Sequence, residues 1–201
     1  MPLVPRVPLD RPATYDDLIA QPEHLVAEIV DGELWTSPRP APKHALAYSA
    51  LGGFLTAPYN HGRGGPGGWW ILDEPELHFG ADVVVPDLAG WRRNRMERLP
   101  DTAYFALAPD WVCEVISPST ARLDRTKKLR VYAREAVQHC WIVDPVLRTL
   151  DVLRLDSGRW TIAATRGDDD VVRPEPFVDV DLELSLLWEG SRAEPSAINR
   201  A

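Results

Sequence analysis

The stretch PDWVCEVISPST, residues 109–120, constrains the fold more than any other part of the chain. Trp111, Val112, Cys113, Val115 and Ile116 make both alternating faces apolar, as in a strand buried on both sides. Ser117-Pro118-Ser119-Thr120 ends the strand and supplies caps for a helix over about 121–136. HCWIVDP, residues 139–145, then reads as a second buried strand. Glu114 stands in the middle of the first strand. A carboxylate there loses its hydration, so it must be paired, hydrogen-bonded or bound to a metal.

The other segments extend this picture. The first 13 residues are proline-rich and read as an extended arm. Thr14 can cap a short helix, TYDDLIAQ, whose acidic first turn suits the helix dipole. LVAEIVDGELWTSP reads as a hairpin turning at Asp31-Gly32. A helix is expected over about 42–57, with Ala45, Leu46, Ser49, Leu51 and Leu55 near helical spacing. NHGRGGPGG, residues 60–68, lacks the Lys-Ser/Thr ending of a phosphate-binding loop and reads as a connection. WWILDEPELHFG and DVVVPDLAGWRR are both strand-like. TLDVLRLD and RWTIAATR, joined by Ser157-Gly158, read as a second hairpin.

The middle of the chain therefore runs helix, strand, strand, strand, helix, strand. This is a mixed α/β (α+β) domain over about 14–190, with a tail at 191–201. The hairpins at both ends are expected to extend its central sheet.

Composition excludes some functions. No apolar run is long enough for a transmembrane span. The first residues carry no apolar segment behind a basic start, so no secretory signal is expected. Cys113 and Cys140 are the only cysteines, and both lie in apolar runs. Buried thiols in a reducing cytoplasm follow, rather than a disulfide. The net charge of -8 argues against a surface coated in positive charge for nucleic acid, but two local basic runs remain, WRRNRMER and ARLDRTKKLR.

Glu114 has acidic companions. Asp87 follows Val83-Val84-Val85-Pro86 and meets the same desolvation. Glu28 lies in the first hairpin, where one strand face can reach water. Asp144 ends a strand beside Pro145, where a turn role suffices. Two carboxylates brought together on neighbouring strands repel, and a divalent cation relieves this. An all-oxygen donor set suits Mg²⁺ or Mn²⁺. Hydrolysis of a phosphodiester also needs a positive group nearby. Leu129, Tyr132, Ala133 and Ala136 form an apolar stripe at ~100° per residue. Lys127 falls opposite it, in solvent. Lys128 falls at its edge, where its methylenes can pack and its ammonium can reach the strand end. An ordinary edge lysine fits that position too.

A proline-aspartate on one strand, a glutamate on the next and a nearby lysine resemble the PD-(D/E)XK nuclease superfamily. More narrowly, AEIVDGEL, the His44 region, VVPDLAGW, PDWVCEVISPST, DRTKKLRVYA and HCWIVDP resemble the Uma restriction-endonuclease family over about 15–155. The resemblance implies a restriction-endonuclease-like core with added hairpins. It also implies a Mg²⁺- or Mn²⁺-dependent endonuclease acting on DNA. Asp87 and Glu114 match the metal-binding acids. The superfamily lysine two residues after the second acid is replaced here by Ile116, and Lys128 matches its relocated counterpart. Glu28 and His44 match accessory polar positions, although His44 also fits a helix cap or a surface histidine.

Arg92, Arg93, Arg95 and Arg125 are candidate phosphate contacts, and a homodimer would supply two sites for two strands. A nuclease fold serving only as a binding module is the rival reading. A glycosidase using two carboxylates, with Trp69 and Trp70 on sugar, leaves the lysine without a task.

Overall fold

The computed structural model describes residues 6–190; the expected tail at 191–201 and the first five residues of the expected arm lie outside them. Two sheets organise the chain. The central one has six strands in the order β11-β10-β9-β8-β7-β4. Its members are β4 (Trp69–Asp73), β7 (Leu88–Arg92), β8 (Trp111–Val115), β9 (His139–Asp144), β10 (Thr149–Asp156) and β11 (Arg159–Gly167). Only β8 and β9 run parallel, and the helical segment at 121–134 is their crossover. The second sheet has the order β1-β3-β2-β6-β5. It comprises β1 (Arg6–Val7), β2 (Leu25–Val30), β3 (Glu33–Pro38), β5 (Leu77–Phe79) and β6 (Asp82–Val84). A short pair, β12 (Val171–Val172) and β13 (Leu182–Glu183), completes the strands described.

Local chemistry sets these elements. Asp31 and Gly32 both take positive φ, 53° and 73°, as the two-residue turn between β2 and β3 requires. Thr14 caps α1 (Tyr15–Ile19), and its own N–H donates to the Asp17 carboxylate at 2.8 Å. Pro42 opens α2 (Pro42–Leu55), where its missing N–H costs nothing. A π-helical turn, Thr56–Asn60, continues α2 and buries Tyr59.

The core lies on both faces of the central sheet. On one face Ala47, Leu51 and Leu55 of α2 pack with Trp111, Cys113, Trp141, Phe177 and Leu187. On the other, Val112, Cys140 and Ile142 pack with Leu123, Val131 and Tyr132 of the crossover and with Val84 of the second sheet. Glu114 alternates with Val112, so its side chain enters this second layer, between the sheet and the crossover.

Three expectations change. WWILDEPELHFG and DVVVPDLAGWRR each divide into two strands that belong to different sheets. Glu74 at φ 44° with Pro75 breaks the first, and Pro86, which has no N–H for a ladder, breaks the second. The first hairpin consequently joins the second sheet through Ile29↔Val83, whereas the β10–β11 hairpin does extend the central one. In α2 the buried positions are Ala47, Leu51, Gly52 and Leu55, while Leu46 is 41% exposed.

The third change concerns the crossover. Its middle, Leu123–Lys128, is π-helical, and the α-helix resumes at Leu129–Arg134 (α3). The wider turn rotates the inward face away from an ideal 3.6-residue period. Leu123, Asp124, Lys128, Val131 and Tyr132 point inward, and Ala136 becomes an exposed turn residue at φ 57°. Lys128 is thus inside the layer rather than at its edge. Lys127 is not free in solvent, since it ion-pairs with Glu33 and Asp31.

Candidate functional site

The site forms where the chain crosses from one sheet to the other. Between β6 and β7, Val85 leaves the ladder, and its backbone groups need other partners. Its N–H donates to Glu28 Oε1 at 2.8 Å, and its carbonyl accepts from Lys128 Nζ at 3.1 Å. Asp87 follows at once, and its Oδ2 accepts the Val115 N–H at 2.7 Å. The β7–β8 register pairs Leu88 with Cys113. One step further along that register brings Asp87 opposite Glu114, on the same face of the sheet.

Lys128 is the hub. Its ammonium lies 2.9 and 3.0 Å from the two oxygens of Glu114, 3.0 Å from Glu28 Oε1 and 3.8 Å from Asp124 Oδ1. Tyr132 donates its hydroxyl proton to Glu114 Oε1. The side chains of Lys128 and Glu114 are each only 3% exposed. Burial pushes the Glu114 carboxyl well up; Lys128 opposes this, and Asp124, Asp87 and Glu28 add to it. Burial likewise pushes Asp124 up to about 7. For Lys128 burial disfavours the charge, but Glu114, Glu28 and Asp124 outweigh it and hold the ammonium protonated.

His44, in the first turn of α2, reaches the same place. Its Nε2 is 3.2 Å from Asp87 Oδ1. Burial opposes a charge on this ring, but Asp87, Asp124 and the Val115 backbone outweigh it and raise its pKa. Its Nδ1 is buried with no hydrogen-bond partner among the described residues. Glu28, His44, Asp87, Glu114, Asp124 and Lys128 all line one cleft of about 160 Å³.

The structure therefore brings together five of the expected residues: Asp87, Glu114, Lys128, Glu28 and His44. It adds Asp124 and Tyr132. The signal that could have found both is the spacing Asp124-x₃-Lys128-x₃-Tyr132, about one residue per helical turn on one face. The other arginines lie elsewhere. Arg92 and Arg93, at the far end of β7 from Asp87, stack over Trp69 and Trp70 at 4.5 and 3.6 Å. Arg125 pairs with Asp151 and Arg95 with Asp110. None of the four lines the cleft.

Among the described residues no three Asp, Glu, His or Cys side chains converge as a ready-made metal cage. The cleft nonetheless offers carboxylate oxygens to a cation. Three buried carboxylates surround one ammonium, and Asp87 lies beside them. Mg²⁺ commonly uses one or two protein carboxylates and takes its remaining oxygens from water and substrate phosphate. Asp87 and Glu114 fit that donor set.

Residues 12–187 match the model of the Uma2 family, described as "Putative restriction endonuclease". The chain belongs to the Uma2 family. A solved structure described as a "putative nuclease belonging to DUF820", from Anabaena variabilis, is similar to this Uma2 chain, with a TM-score of 0.70 and 24% identity. The similarity covers 88% of this chain and 97% of that one. It shows a shared fold, the restriction-endonuclease-like mixed α/β architecture. No curated protein matches. No helix among the described residues of this Uma2 member is long and apolar enough to cross a membrane.

Proposed function

We propose that this Uma2 chain is a Mg²⁺-dependent endonuclease that hydrolyses DNA phosphodiester bonds. The observation that supports this most directly is the convergence of Asp87, Glu114 and Lys128 in one cleft at the crossing between the two sheets. Asp87 and Glu114 would hold the metal, or Mn²⁺ in its place. A bound divalent cation there supplies Lewis acidity toward the phosphate and lowers the pKa of a coordinated water.

The chain's own groups do the rest. The Val115 N–H fixes the Asp87 carboxylate, so its other oxygen stays turned to the cleft and His44. Lys128 is a fixed positive charge beside the place where phosphate charge develops, and the surrounding acids keep it protonated. Glu28 steadies that ammonium and the Val85–Pro86 crossing. A homodimer would place one site on each strand of a duplex, and buried, unpaired Cys113 and Cys140 suit a cytoplasmic setting.

Calorimetric titration of Mn²⁺ into the wild type and Glu114→Gln, with cleavage of a labelled DNA duplex followed in parallel, tests the proposal. Saturable binding and metal-dependent cleavage, both lost in Glu114→Gln, are expected. Equal or absent binding in the two proteins would make Glu114 a structural acid and the chain a nuclease-fold binding module.

A further inference from the structure

A second cavity lies beside the cleft. It has a volume of about 220 Å³ and is lined by Arg6, Trp35, Ser119, Arg122, Leu123 and Lys127, among others. Ser119 lines both cavities, so they are neighbours across the loop that follows β8. The new cavity has an apolar floor, Trp35 and Leu123, and a cationic rim. This volume is below the ~300–1,000 Å³ of a typical small-molecule pocket. It suits one planar group of a longer ligand.

The cations are not equivalent. Arg6 and Lys127 share Glu33, and Lys127 also approaches Asp31 at 3.7 Å. Arg122 makes no side-chain ion pair or hydrogen bond among the described residues and is exposed at the rim. Arg6, Lys127 and Arg122 outnumber the carboxylates of Glu33 and Asp31 and leave this patch positive on a chain whose net charge is -8. The indole carries the second signal. Trp70, Trp91, Trp141, Trp160 and Trp188 each donate their ring N–H to a backbone carbonyl. The Trp35 and Trp111 N–H groups are both buried with no such partner among the described residues; Trp111 is packed inside the core, whereas Trp35 lines the cavity. Lys127 Nζ sits 5.3 Å from its ring centroid.

From these observations we infer that the cavity is a subsite for one nucleotide of a nucleic-acid strand running through the cleft. Its base packs on Trp35, and its phosphate is held at the rim by Arg122 and Lys127. A flat apolar wall combined with positive charge is the pairing by which proteins hold single nucleotides of a strand. The inference rests on the nucleic-acid reading of the cleft but uses none of the groups that hold the metal. It assigns Trp35 and Arg122 to binding, not to chemistry.

The test is fluorescence anisotropy of a labelled single-stranded DNA oligonucleotide, whose unpaired bases are free to pack on Trp35, with the full chain in EDTA, where no cleavage occurs. Arg122→Glu and Trp35→Leu are each expected to weaken binding by about tenfold or more. Trp35→Phe should keep most of the affinity. Arg122→Ala should lower the slope of log affinity against log salt by about one. Arg159→Glu, an exposed charge reversal on β11, controls for net charge and should change affinity far less. Wild-type affinity in both Arg122→Glu and Trp35→Leu, or equal weakening in Arg159→Glu, would overturn the subsite. These outcomes are independent of the metal experiment. Cleavage with unaltered binding in the variants removes the subsite alone, and altered binding without any cleavage removes the nuclease reading alone.

Discussion

Tyr132 donates its hydroxyl proton to the carboxylate that Lys128, one helical turn earlier, also holds. Two residues four apart on one helix thus satisfy a glutamate inside the facing strand. Burial pushes the Tyr132 hydroxyl well up, and Glu114 and Glu28 push it further, so it stays protonated as a donor.

Tyr132→Phe keeps the ring and removes that donor. One oxygen of a fully buried carboxylate then loses a partner, a cost of about 1–3 kcal/mol. Urea unfolding should show this loss with an unchanged m-value. An unchanged midpoint would mean that the hydrogen bond contributes nothing net.

Lys128→Met removes the only cation that contacts Glu114, Glu28 and Asp124 among the described residues. Methionine preserves much of the aliphatic volume, so packing changes little. Removing one partner of a buried ion pair costs about 3–5 kcal/mol, because the remaining charges are uncompensated. A drop of that size in unfolding free energy at neutral pH is expected. It should shrink in acid, where the carboxylates bind protons and no longer need a cation. A variant equally destabilised at every pH would place the loss in packing instead.

Much of this site was legible in the sequence. Glu114 stood out because Val112, Cys113, Val115 and Ile116 leave its strand no polar face. Asp87 stood out for the same reason beside Val83 to Val85. The sheet exchange was not legible, because an apolar run such as DVVVPDLAGW does not say which partners each half will find. Pro86 was the local sign of a break, but only the ladder pairs reveal that β6 and β7 diverge. The depth of Lys128 was hidden by the assumption of a regular helical period. The π-helical turn over Leu123–Lys128 moves Asp124 and Lys128 inward together, and no simple residue pattern announces it. Glu28 resembled a solvent-facing hairpin residue, but its face of the hairpin meets Lys128 of the crossover and the Val85 N–H.

Gly90 is fixed by its neighbours, not by its backbone angles. It lies in β7 between Ile71 and Trp111 in register. A Cβ added there would meet Ile71 Cδ1 at 3.1 Å, Trp111 Cε3 at 3.2 Å and Trp69 Cε3 at 3.3 Å. Two indole rings cannot easily yield, so Gly90→Ala should overpack this face and cost about 1–3 kcal/mol. Thermal unfolding would register the loss. A variant as stable as the wild type would show that these rings move freely.

Asp124 gives the site a dependence on pH that can be isolated by one substitution. Its carboxyl is pushed up to about 7 by burial, against roughly 4 in an unfolded chain. Between those values the folded protein binds a proton at Asp124 that the unfolded chain has already released. The folded state therefore loses stability as pH rises from about 4 to about 7, and the loss is complete above that window. Asn has nearly the same shape as the neutral acid and does not titrate. Asp124→Asn should match the wild type near pH 4 and exceed its stability at pH 8 by as much as roughly 4 kcal/mol. Paired urea titrations across this range measure the difference directly. A wild type that is the more stable protein at pH 8 would mean that the Lys128 contact at 3.8 Å and the Thr120 hydrogen bond outweigh the burial of the charge.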